Sequence, residues 1–174
     1  MWPLSRSTEH IDAQAKIVAP ILMGCCEQTA PIFLKALVGE KKAGSNQGLI
    51  APLTIELLVF ALHLTDRITF ARLGPSKRAK FMNALLPGVQ RELKPPLDSQ
   101  LQRLYNTRNT FYGGFPKLFP DKKDNLKGTL FWEFGKAMGS VYAENNPVAI
   151  AQTAMDGMDF MVTVNQVLAT AKVV

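Results

Sequence analysis

The sequence predicts an all-α protein, a compact bundle of five to seven helices around one apolar central helix at about residues 51–73. Three observations carry that prediction. Apolar residues recur three or four positions apart through most of the chain, and the β-branched alternation that strands need is missing. Proline, glycine and capping residues mark helix boundaries. One stretch, Leu49–Leu64, is apolar nearly all round, which belongs inside a fold. With 174 residues, 47% hydrophobic and 20% charged, the chain reads as a single helical domain over 1–174. A chain of this length buries roughly 70% of its unfolded surface and needs no covalent staple.

The first helix is expected to start after Ser7 or Thr8, leaving residues 1–7 flexible. Glu9 and Asp12 then fall in its first turns, where negative charge suits the helix dipole. Its inner positions read Ile11, Val18, Leu22, Cys25, Ile32 and Ala36. Pro20 and Pro31 imply one kinked helix or two in sequence. Gly39 to Gly48 reads as a loop. The central helix follows with Pro52 in its first turn and stops at Gly74-Pro75-Ser76.

Ser76 caps a short amphipathic helix, Lys77–Leu86, with Phe81, Met82 and Leu85 on one face and Pro87-Gly88 at its end. Lys94-Pro95-Pro96 is a rigid connector. Asp98 caps a helix whose inner face reads Leu101, Leu104, Arg108 and Phe111. Gly113 to Lys127 is a long loop carrying the apolar phrase Phe115–Pro120, which either tucks under itself or serves as a lid or partner patch. The next helical stripe is Leu130, Phe134, Ala137 and Val141. Asn146-Pro147 is a cap followed by a first-turn proline. The last helix has its seam at Ile150, Ala154, Gly157, Met161, Val164 and Leu168, where the small residues admit a close neighbour.

Several chemistries lack their residues. Cys25 and Cys26 are adjacent, so they suit neither a normal disulfide nor a metal pair, and they read as small core residues in a reducing compartment. No phosphate-binding loop, dinucleotide fingerprint or nucleophile motif occurs. A di-iron bundle needs Glu-x-x-His pairs that the chain does not supply. The polar N-terminus is not that of a secretory signal. Leu49–Leu64 falls short of the roughly 20 apolar residues that a membrane span requires. The expectation is therefore a cytoplasmic protein without a transmembrane segment, cofactor or metal, and without enzymatic activity.

The net charge of +6 is uneven. Residues 1–127 hold 18 basic and 10 acidic side chains, a net of +8, and residues 128–174 a net of −2. From Arg67 to Arg91 there are six basic residues and no acid. That segment suits a phosphate, a nucleic acid or an anionic surface. Nucleic acid is the weaker of these, because interleaved aromatics and a stronger basic cluster are missing.

Polar groups interrupt the central helix on one side. With Glu56 at zero and ~100° per residue, His63 lies near −20° and Arg67 near +20°. Glu56 and His63 are two turns apart, roughly 10 Å, and do not bond each other. A buried carboxylate costs several kcal/mol unless paired, and Arg108, an arginine in an apolar seam, is the predicted partner of Glu56. This stripe is either a network fixing helix register or the wall of a pocket. The functional expectation is a binding or interaction module, homo-oligomeric, taking a small anionic ligand near Glu56, His63, Arg67 and Arg108. The alternatives are an enzyme or metal-binding bundle using Glu56 and His63, and a nucleic-acid or anionic-surface binder using residues 67–91.

Overall fold

The computed structural model of the chain describes residues 5–93, 97–115, 126–142 and 146–174. These are predominantly helical, with no strand among them, as the apolar spacing requires. Five long helices appear: α1 (Ser5–Val38), α3 (Ile50–Glu92), α4 (Leu97–Tyr112), α5 (Leu130–Val141) and α6 (Pro147–Thr170). A four-residue helix, α2 (Glu40–Ala43), and a 3-10 turn over Gly44–Leu49 join α1 to α3. The stretch expected as a plain loop at Gly39–Gly48 is therefore wound into short turns.

α3 is the axis of the bundle. Residues 53–65 are buried without interruption, so α1, α4, α5 and α6 all pack on this helix, α1 most extensively. Gly74 adopts φ 75 and ψ 171, a region open almost only to glycine. The chain breaks there into 50–73 and 75–92. Arg78, four residues beyond the break, reaches back to Asp66, so the second half of α3 folds against the first. This half runs through Pro87 to Glu92, where the sequence predicted an end at Pro87-Gly88. Gly88 lies inside this helix and packs against α1, where a Cβ would stand 3.0 Å from the Ala19 Cβ.

α1 crosses Pro20 and Pro31 as one helix and begins at Ser5, inside the stretch expected to be flexible. Its inner face matches expectation at Ile11, Val18 and Leu22, then shifts by one position. Cys26 is fully buried where Cys25 was expected, and Phe33 is buried while Ile32 is 57% exposed. α4 shifts similarly. Leu101 is buried as expected, but Tyr105 and Tyr112 complete the face and Phe111 turns outward. The expected Lys94-Pro95-Pro96 connector, the cap at Asp98 and most of Gly113–Lys127 lie outside the described side chains. Of the Phe115–Pro120 phrase only Phe115 is described, half-buried with its ring edge on Phe111.

The aromatic core ties the helices together. Phe60 of α3 stacks on Phe134 of α5 at 3.9 Å between ring centroids, and Phe131, Tyr112 and Phe33 meet this pair edge-on. α5 and α6 approach closely through two glycines. A Cβ on Gly157 would meet the Phe134 ring at 2.7 Å, and one on Gly135 would meet the Ile150 carbonyl oxygen at 2.5 Å. Asn146 caps α6 by accepting from the Val148 amide at 3.0 Å, and Thr129 caps α5 by accepting from the Trp132 amide. Gln14 of α1 donates to the Lys172 carbonyl and closes the C-terminal end of the bundle.

Two helical stretches are long and apolar enough to cross a membrane: His10–Val38 and Glu40–Glu92. Their most apolar windows are 39% and 72% buried within the fold. α3 thus has the burial of a core helix, and α1 leaves much apolar surface uncovered.

Candidate functional site

The stripe on α3 is where the charged groups of the interior gather. Glu56 is nearly buried, because its turn faces α4. Arg108 of α4 donates Nη2 to Oε1 at 2.7 Å and Nε to Oε2 at 3.2 Å. This two-point geometry is the strong form of the pair. Burial works against the Arg108 charge, but the hydrogen bonds and the Glu56 carboxylate overcome it and raise its pKa above the ordinary value.

Two turns further along, His63 is 3% exposed. Its Nδ1 meets the Asn109 Oδ1 at 3.0 Å. The amide oxygen can only accept, so Nδ1 carries the proton and Nε2 is the lone-pair nitrogen. That Nε2 is buried without a hydrogen bond. Burial lowers the His63 pKa, Asn109 opposes the shift, and Arg67 adds to it. The neutral imidazole is thus the favoured form. The Tyr112 ring stands 5.3 Å away. Its hydroxyl is buried without a hydrogen-bond partner, and burial, then the Glu56 charge, push its pKa well up.

Arg67 stands at the edge of this interior, half-buried. It lines a cleft of about 300 Å³ between α3 and α6. Arg67, Arg72 and Asn165 supply its polar groups, and Ile68, Ala71, Met161 and Val162 its apolar wall. Burial pulls the Arg67 guanidinium down from its ordinary value and the Asp66 carboxylate opposes that. Asp66 also holds Arg78 by a second two-point ion pair, both contacts at 2.5 Å, so Arg78 is drawn out of the basic segment.

The four predicted site residues therefore separate. Glu56 and Arg108 join each other, His63 joins Asn109, and Arg67 alone among them borders this cleft. Asn109 and Tyr112 were not picked out in the sequence, although Asn109 directly follows Arg108. Arg72 belongs to the predicted basic segment and Met161 to the predicted seam of α6, while Val162 and Asn165 were not singled out; the four become one wall only when α3 and α6 meet. Among the described residues no group of three histidine, cysteine or acidic side chains is placed to hold a metal. Comparison with protein-family models, with curated proteins and with solved structures gives no match.

Proposed function

We propose that this protein is a non-enzymatic helical binding module that takes a small amphipathic anion in the cleft between α3 and α6. The observation that carries this reading is the pairing of two arginines with an apolar wall in one cleft of about 300 Å³. That volume is at the small end of ligand sites, which run from roughly 300 to 1,000 Å³. The guanidinium groups suit a carboxylate or phosphate head by two-point hydrogen bonding, and Ile68, Ala71, Met161 and Val162 suit a short apolar body. The Glu56–Arg108 and His63–Asn109 pairs hold α4 in register on α3. Catalysis by Glu56 and His63 has less support, since Glu56 is engaged at both oxygens by Arg108.

Octanoate and octanol, equal in chain length and different in charge, test the reading. The Met161 methyl resonance of the labelled protein reports on the cleft. Octanoate is expected to shift that resonance saturably, octanol much less, and Arg72→Ala to weaken octanoate about tenfold, the loss of one charge-assisted hydrogen bond. A Met161 signal unmoved by octanoate, or equal responses to the two probes, would refute the site.

A further inference from the structure

A second surface lies away from that cleft, where α1 meets the second half of α3. Lys77, Lys80, Ala84, Pro87 and Arg91 are spaced 3, 4, 3 and 4 apart, so they form one stripe along 75–92. Lys77, Lys80 and Arg91 are exposed on it. Lys80, Ala84 and Pro87 line a shallow groove together with Lys16 and Asp12 of α1. On α1, Pro20 lies ~40° round from Lys16, Ile17 ~100° and Ile21 ~140°. Ile17 is 51% exposed and Ile21 40%. The cationic stripe borders this groove, and the two isoleucines lie outside it, on the exposed side of α1 about a third of a turn round from Lys16.

We propose that this face docks the protein peripherally on an anionic lipid bilayer. Exposed aliphatic side chains beside lysine and arginine are the composition of interfacial helices, which place apolar groups at the acyl boundary and cations among the headgroups. Four cations, Lys16, Lys77, Lys80 and Arg91, face two acids, Asp12 and Glu27, on these surfaces. α1 adds a third exposed isoleucine further along, Ile32 at 57%. A nucleic acid uses the cations but has no use for isoleucines, which neither stack on bases nor read their edges. A second copy meeting this face across a two-fold axis sets the same cations against each other.

The test is co-sedimentation of the whole protein with vesicles of phosphatidylcholine alone or with roughly 30% phosphatidylglycerol, the anionic lipid that polybasic surfaces select. Two variants change only exposed side chains: Ile17→Gln/Ile21→Gln and Lys77→Glu/Lys80→Glu, each checked for native helicity. Binding is expected only to the anionic vesicles, weakened about tenfold or more by either variant and by high salt. Any of three results overturns the proposal. These are no retention by anionic vesicles, retention unchanged in the isoleucine variant, or retention lost there only because a dimer has become a monomer in sedimentation equilibrium. Duplex DNA is the parallel probe, and binding to it with the same dependence on both pairs also overturns the proposal.

Discussion

Glu56 has 6% of its side chain exposed and Arg108 23%, so the pair is shielded mainly at the carboxylate. Removing one partner differs from removing both. Arg108→Ala strands a buried carboxylate and is expected to cost about 3 kcal/mol in chemical denaturation. The double change Glu56→Leu/Arg108→Leu leaves no charge behind and is expected to lie within about 1 kcal/mol of the parent. A double variant as unstable as the single one would show that packing of the arginine stem, not charge compensation, is what the site needs. His63 makes a prediction in pH. Its folded pKa is depressed by burial, so the unfolded chain binds the proton first. Stability is then full above the unfolded value of about 6.5 and declines as pH falls below it. Carboxylates add their own slope at lower pH, so the quantity to measure is the difference between the parent and His63→Gln between pH 7 and 5. The variant is expected to lose less stability over that window, and parallel curves would remove His63 as the cause.

The helices turn such residue-level facts into packing, and glycine shows how. Gly24, inside α1, has nothing within 4 Å of where a Cβ would stand. Gly24→Ala is expected to stabilise by about 0.5–1 kcal/mol through backbone entropy alone. Gly135 is also helical, but its Cβ would lie 2.5 Å from the Ile150 carbonyl oxygen. α5 and α6 must separate to admit it, and Gly135→Ala is expected to destabilise by about 2–3 kcal/mol. Thermal unfolding of the two variants side by side checks both signs, and a neutral Gly135→Ala would mean that α5 and α6 are more loosely packed than described. The sequence carried the α6 side of this contact, because Ala154 and Gly157 interrupt a regular 4-3-4 seam. It carried Arg108 for a similar reason, a charge where apolar spacing called for a leucine. It did not carry the choice between adjacent faces. Cys25 and Cys26 are chemically identical, and Phe111 and Tyr112 are both aromatic; the packing of α1 on α3 decides the first choice and the contact of Tyr112 with Phe60 the second. The Asp66–Arg78 pair and the α3–α6 cleft were out of reach for another reason. Each depends on a placement in space, the first on the φ of Gly74 and the second on where α6 lies across α3.

For the whole molecule, the apolarity of α3 has two physical outlets, lipid or protein. A helix spanning a bilayer sets Glu56 and His63 among acyl chains, where ionisable groups are costly unless they face a partner. In the fold described here both groups have partners on α4, and residues 53–65 are closed off by protein on every side. The burial itself then stabilises the bundle, since several fully covered leucines and Phe60 each contribute about 1.5–3 kcal/mol. Opening α3 to solvent means dismantling its contacts with α1, α4, α5 and α6 together. Amide exchange along 53–65 is therefore expected to proceed only by global unfolding in detergent-free buffer, with a protection free energy equal to that from denaturant titration. The exposed strip of α1 near Ile17 and Ile21 has contacts on one side only, and the outward-facing turns there are expected to exchange by smaller openings. Adding detergent micelles separates the two outlets. A core helix keeps its slow exchange unchanged, while protection of 53–65 that appears only in detergent would mean that lipid, and not the bundle, is the environment in which α3 is stable.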